Sequence, residues 1–215
     1  MQVNPLNPAR PARFITLEGI EGAGKSTAAP KLAAWLQQRG VSVDLTREPG
    51  GTPLAEKLRG LLLDRDSENI TPAAETLLMF AARAAHVANR IRPQLAAGRW
   101  VLCDRFTDAT RAYQGAGRGQ DREWIDQLEQ QLLDGLKPDR TLLFDVPVAE
   151  GLARTQRRAG SVDRFESERH EFFERVRAEY LAIARREPQR VRVLDARLPP
   201  EALLQAAQRA LEDLL

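Results

Sequence analysis

The residues with the most definite chemistry are Gly19-Ile20-Glu21-Gly22-Ala23-Gly24-Lys25-Ser26, which fit the pattern G-x-x-x-x-G-K-[ST]. An apolar run, Phe14 to Glu18, stands directly before them and a helical stretch follows, the context this pattern requires. Glycines let the backbone wrap a phosphate so that successive N–H groups and the start of the helix point at it. Lys25 then bridges the β- and γ-phosphates of a nucleoside triphosphate, and Ser26 offers its hydroxyl to Mg2+. A second metal-facing group should be a carboxylate at a strand end. Asp104, after Trp100 to Cys103, and Asp145, after Leu142 to Phe144, both qualify. Asp104 is preferred because Arg105 follows it, setting a cation beside the acid at the carboxyl edge of a sheet, where ligands of open α/β sheets bind. Asp145 reads equally well as the cap of the next helix.

Further polar groups lie downstream. Thr46-Arg47-Glu48-Pro49-Gly50-Gly51-Thr52 is a Gly/Pro turn carrying one arginine. Met79 and Phe80 fall four and three residues before Arg83, so all three are neighbours on a helix, though such a group is more often core than ligand contact. Thr110, Tyr113 and Gln114 share a helical face that could read the edge of a base.

These groups need a scaffold. Phe14 to Glu18, Val41 to Thr46, Trp100 to Asp104, Thr141 to Val146 and Val191 to Asp195 read as strands. Helical stretches at about 25–39, 53–64, 72–97, 107–134, 147–185 (interrupted near 160) and 200–214 separate them. Strands alternating with helices predict a five-stranded parallel sheet in a three-layer α/β fold, and the phosphate loop after its first strand makes it one of the P-loop NTPase kind. Near-continuous apolar strands such as Trp100-Val101-Leu102-Cys103 suit a sheet covered on both faces. The single domain, 14–215, follows a Pro/Asn/Arg arm at 1–13 that reads as disordered.

Composition excludes several classes. Cys103, His86 and His170 are the only residues of their types, too few for a Cys/His zinc site or a disulfide framework, which fits a reducing cytoplasmic setting. No apolar run reaches the ~18 residues of a membrane helix. The 32 basic residues, 28 of them Arg, stand against 30 acidic ones, and aromatics make up 6%, which argues against nucleic acid as a partner. No N-K-x-D guanine-reading motif is present, so a regulatory NTPase is disfavoured.

Together the loop with Glu21 at its third position, Thr46 to Gly51, Asp104-Arg105, Tyr113-Gln114-Gly115 and Asp163-Arg164 resemble the bacterial thymidylate kinase family, from Phe14 onward. The resemblance implies transfer of the ATP γ-phosphoryl group to dTMP, with Mg2+, by a cytoplasmic homodimer; a kinase for another nucleoside monophosphate is the alternative. It implies that Gly19, Ile20, Glu21, Gly22, Ala23, Gly24, Lys25, Ser26 and Thr27 bind ATP, and that Ser26 and Asp104 serve the metal. Arg47 and Arg105 would clamp the dTMP phosphate, Glu21 would lie near its sugar, and Arg83 and Gln114 would read thymine, with Thr110 and Tyr113 lining the pocket. Where the family tends to place its stacking Phe, this chain has Met79, so either Met79 or Phe80 covers the base. A mobile lid at about 154–166 would supply Arg154, Arg157, Arg158 or Arg164 to catalysis, alongside Lys25 and Arg105; a solvated helical face is the plainer reading of those lid arginines.

Overall fold

The computed structural model describes residues 11–64, 70–159 and 166–215, the side chains of 158, 159 and 166–169 excepted. Five strands, β1 (Phe14–Glu18), β2 (Val43–Arg47), β3 (Trp100–Asp104), β4 (Arg140–Asp145) and β5 (Val191–Asp195), form one parallel sheet in the order β2-β3-β1-β4-β5. The chain moves outward from β1 to β2, returns to β3, then crosses to β4 on the other side of β1. The strand order therefore reverses at the carboxyl end of β1, where open parallel sheets bind ligands, and the phosphate loop leaves from that point.

Helix α1 (Lys25–Gln38) follows the loop, and α2 (Pro53–Leu63) and α3 (Pro72–His86) start with Thr52 and Thr71 as side-chain caps, each followed by Pro in the first turn. The expected helix at 72–97 is α3, a wider π-type stretch at Val87–Ile91, and α4 (Arg92–Ala96). The expected helix at 107–134 is interrupted. A short α5 (Thr107–Thr110) passes into a π-type stretch at Arg111–Gly117, and α6 (Arg122–Leu133) begins afresh where the Asp121 side chain accepts the Glu123 and Trp124 N–H groups. The last third of the chain carries α7 (Val148–Ala159), α8 (Glu166–Arg186) and, after β5, α9 (Pro200–Arg209).

Alternate strand residues feed two apolar clusters. Ile15, Leu17 and Leu102 join Leu32, Leu36 and Phe144 on one face, while Phe14, Val101 and Cys103 join Ile91, Phe106 and Leu133 on the other. Both faces are covered, which is why the strands carry so little polar alternation. Of the arm expected at 1–13, residues 11–13 are described. Pro11 accepts a bond from Trp100 Nε1 at 3.1 Å and Arg13 pairs with Asp139 at 2.9 Å, so these residues are tied to the sheet; residues 1–10 lie outside the described ones.

Candidate active site

The loop's shape is made by glycine. Gly22 has φ +77°, and a Cβ there would stand 2.1 Å from the Gly151 carbonyl oxygen, so α7 can approach the loop only because no side chain intervenes. Lys25 Nζ donates to the Gly19 and Ile20 carbonyls at 2.7 and 3.0 Å, curling over the loop. Burial, with Arg105 nearby, lowers its pKa to about 8. Ser26 Oγ donates to Asp104 Oδ2 at 3.1 Å, so the preferred carboxylate stands beside the loop hydroxyl. Asp145 is instead gripped by Arg177 at 2.7 and 2.9 Å. A cleft of about 580 Å3, within the usual ligand-site range, is lined by Lys25, Ser26, Arg47, Asp104, Arg105 and Thr155. It continues into a cavity of about 470 Å3 between Gly22, Thr27, Arg154 and the segment Ala196–Pro200.

Across the cleft from Lys25, three groups close a triangle. Arg105 Nη2 donates to Glu21 Oε1 and to Tyr113 Oη, both at 3.0 Å, and Tyr113 Oη donates to Glu21 Oε2 at 2.7 Å. Burial works to raise the Glu21 carboxyl, but Arg105, Tyr113 and Lys25 outweigh it and hold the pKa below its ordinary value. Burial and Glu21 push the Tyr113 hydroxyl well up, so it stays a neutral donor. Arg105 Nε is buried with no protein partner. Arg47, half-exposed on the cleft's rim, makes a bidentate pair with Glu56 at 2.7 and 3.1 Å, and the same carboxylate accepts the Gly51 N–H.

Beneath this surface lies a buried network that spacing alone did not indicate. Arg83, 1% exposed, donates through Nε to Glu48 Oε2 at 2.7 Å, through Nη1 to Thr110 Oγ1 at 2.9 Å and through Nη2 to the Phe106 carbonyl at 3.0 Å. Its position over the Phe80 ring, 5.2 Å from the centroid, adds a cation–π contact. Glu48 also meets His86 Nδ1 at 3.0 Å, whose Nε2 contacts Thr46 Oγ1 at 2.7 Å. Three of the five guanidinium N–H groups of Arg83 are thus committed, leaving two for another acceptor. Thr110 and Phe80 are fully buried against Arg83, while Met79 is half-buried. Gln114 donates through Nε2 to Glu75 at 2.8 Å, and its Oε1 is buried without a protein partner.

The expected lid arginines separate. Arg154 donates to the Ala196 carbonyl at 2.9 Å and to Gly22 O at 3.4 Å, beside the loop; Arg157 is exposed. The Arg158 side chain and Arg164 lie outside the described residues. The sequence reading missed Glu48, Glu75 and Ala196–Pro200. Glu48 sat inside a segment already singled out, yet nothing local ties it to Arg83, 35 residues on.

A sequence profile described as Thymidylate kinase matches residues 17–207. The thymidylate kinase of Pseudomonas putida (strain W619) is 59% identical over 202 residues, 94% of this chain and 95% of that protein. That of Alkalilimnicola ehrlichii is 55% identical over 199 residues, 93% and 92% of the two chains. Among solved structures, the crystal structure of thymidylate kinase from Ehrlichia chaffeensis superposes with a TM-score of 0.78 at 34% identity, covering 94% of this chain and 99% of that one. With sequence and backbone alike matching over more than nine-tenths of its length, the chain belongs to the thymidylate kinase family.

Proposed function

We propose that this chain transfers the γ-phosphoryl group of ATP to the phosphate of dTMP, giving ADP and dTDP. The observation that carries the reading is that two phosphate grips face one cleft, Lys25 with the Ser26–Asp104 pair on one side and Arg105 with Arg47 on the other. The adenosine end of ATP takes the adjoining cavity between Arg154 and Ala196–Pro200. The acceptor oxygen is already anionic and needs no general base, so the task is to hold two anions in line and spread positive charge over the transferring group. Lys25 serves the donor phosphates, Arg105 and Arg47 the acceptor, and Arg154 stands where it can follow the donor. The Ser26 hydroxyl and the Asp104 carboxylate, hard oxygen donors 3.1 Å apart, fit Mg2+. Bound there, Mg2+ supplies further positive charge to the donor phosphates.

Base reading falls to Gln114 Oε1, a buried acceptor suited to the thymine N3–H, while Glu75 fixes the amide's other end. The two remaining N–H groups of Arg83 suit the O4 carbonyl, and Phe80 serves by packing under Arg83, leaving Met79 to meet the base. Exposed Leu61, Leu63, Leu77 and Leu132 lie on α2, α3 and α6 and support a homodimer through these helices. No described helix is long and apolar enough to cross a membrane, which agrees with a cytoplasmic enzyme. The test is ADP release with ATP and Mg2+, offering dTMP, dUMP, UMP, CMP, AMP and GMP in turn. Preference for dTMP is expected. Preference for another monophosphate would replace the substrate and keep the mechanism, and release independent of any acceptor would overturn the kinase reading.

A further inference from the structure

The phosphate loop is preceded by a buried carboxyl that the mechanism above does not use. Glu18 closes β1, one residue before Gly19, and is 0% exposed. Its Oε1 accepts the Phe106 N–H at 2.7 Å, and its Oε2 meets the Tyr180 hydroxyl of α8 at 2.7 Å. Phe106 follows Arg105, whose φ is +72°, a left-handed conformation unfavourable for any residue with a side chain. On the other side of Arg105 its own N–H is held by the Leu17 carbonyl at 2.9 Å. The turn that aims Arg105 into the cleft is therefore fastened at both ends to consecutive residues of β1, Leu17 by backbone and Glu18 by side chain.

We propose that Glu18 is the positioning residue for Arg105: by accepting the Phe106 N–H it holds Arg105 in the left-handed turn that presents its guanidinium to the acceptor phosphate. The claim rests on the reading of Arg105 as an acceptor clamp. Its advantage is a fixed distance between the two phosphate grips, because the same strand end carries the donor loop and fastens the acceptor arginine. Loss of the carboxyl frees the turn, and Arg105 relaxes away from Glu21 and Tyr113. Burial, with Asp108 behind it, pushes the Glu18 pKa up to about 8. Tyr180 donates its hydroxyl to Oε2, and Oε1 is left as the acceptor for the Phe106 N–H. Gln keeps that acceptor in its carbonyl, while the Tyr180 hydroxyl must turn to accept from its NH2.

Steady-state kinetics on Glu18→Leu, Glu18→Gln, Tyr180→Phe and Arg105→Ala test this. Glu18→Leu should raise the KM for dTMP by about 10- to 100-fold, the effect of one unpaired buried N–H, while the KM for ATP stays within about threefold. Glu18→Gln should restore the dTMP KM, and Tyr180→Phe, which leaves Phe106 bonded, should change it little. A merely structural role would lower the folded fraction and kcat per mole without this split between substrates. An unchanged dTMP KM in folded Glu18→Leu overturns the proposal, as does Tyr180→Phe matching its effect. If Glu18→Leu does not fold, the amide spectra of the wild-type protein and Glu18→Gln decide: a Phe106 amide proton shifted downfield in both is expected, and an unbonded shift in either overturns it. Arg105→Ala separates the layers. If it leaves dTMP binding intact, the clamp reading itself fails; if it abolishes binding while Glu18→Leu does not, only the Glu18 assignment fails.

Discussion

The two halves of the cleft are built by opposite means. The donor half is built around one continuous segment, Gly19 to Thr27, whose geometry comes from backbone, with glycine removing side chains where α7 must approach, and Asp104 and Arg154 are added to it from β3 and α7. The acceptor half is assembled from side chains of β2, α3 and the residues after β3, joined by bonds between positions up to 92 apart in sequence, as between Tyr113 and Glu21. The donor half holds a strained functional cation, Lys25, whose charge burial disfavours. The acceptor half pairs its cations with carboxylates, Arg83 with Glu48 most deeply, although Arg47 stays half-exposed and Arg105 keeps a buried Nε without a protein partner. On the donor side the functional cation is disfavoured by burial, whereas on the acceptor side the Arg83–Glu48 pair is part of the core.

This contrast predicts that substitutions on the two sides separate stability from turnover. The largest effect is expected from Glu48→Ala, which strands the buried Arg83 guanidinium and the His86 ring. Removing one partner of such a pair costs about 3–5 kcal/mol, to be read from urea unfolding. Lys25→Met should do the reverse. Loss of one preorganised cation from the donor side lowers kcat by about 10²- to 10³-fold, while unfolding free energy stays level or rises, since a buried ammonium is replaced by an apolar chain of similar length. If Lys25→Met destabilised the protein as much as Glu48→Ala, the distinction between the halves would be lost.

The same contrast explains what the sequence disclosed. The loop was legible because its chemistry is contiguous and its residue types are forced by the backbone. Asp104 was preferred to Asp145 because Arg105 follows it; in the structure Asp104 meets Ser26 and Asp145 meets Arg177, 32 residues away. For Arg83, helical spacing correctly placed it beside Met79 and Phe80, but could not tell that Glu48, Thr110 and the Phe106 carbonyl would enclose it. Helix 72–97 was visible from its period, whereas the change to π-type turns at Val87–Ile91 leaves the apolar pattern almost untouched. Gln114 offers a finer test of the acceptor half. Gln114→Leu removes the buried acceptor together with the bond to Glu75, and should raise the dTMP KM by about 10- to 100-fold with kcat nearly unchanged. An equal loss for ATP would detach Gln114 from the acceptor.

The last effect is a slope with pH rather than a single loss, and it joins the halves at Glu18. Its carboxyl faces Asp108 of α5, Arg105, Tyr113 and Tyr180, with Lys25 beyond the loop, and burial raises its pKa from 4.5 to about 8. The folded state therefore keeps a proton that the unfolded chain releases above 4.5. Stability from this group is fully present below pH 4.5 and is lost as pH rises to about 8, by at most about 1.4 kcal/mol per pH unit for one proton. Lys25 runs the other way in a separate window: its pKa falls from 10.5 to about 8, so the unfolded chain holds the extra proton between those values and stability recovers as pH rises through them. The difference in unfolding free energy between wild type and Glu18→Gln isolates the first term, because Gln does not titrate. That difference should move in favour of the variant from pH 5 to pH 8 and level off above, while Lys25→Met should leave the lower window unchanged and flatten the upper one. A pH-independent difference for Glu18→Gln would mean that the carboxyl stays ionised when buried, with Arg105 rather than a proton neutralising it, and would tie the acceptor clamp to the loop by charge instead of by the Phe106 hydrogen bond alone.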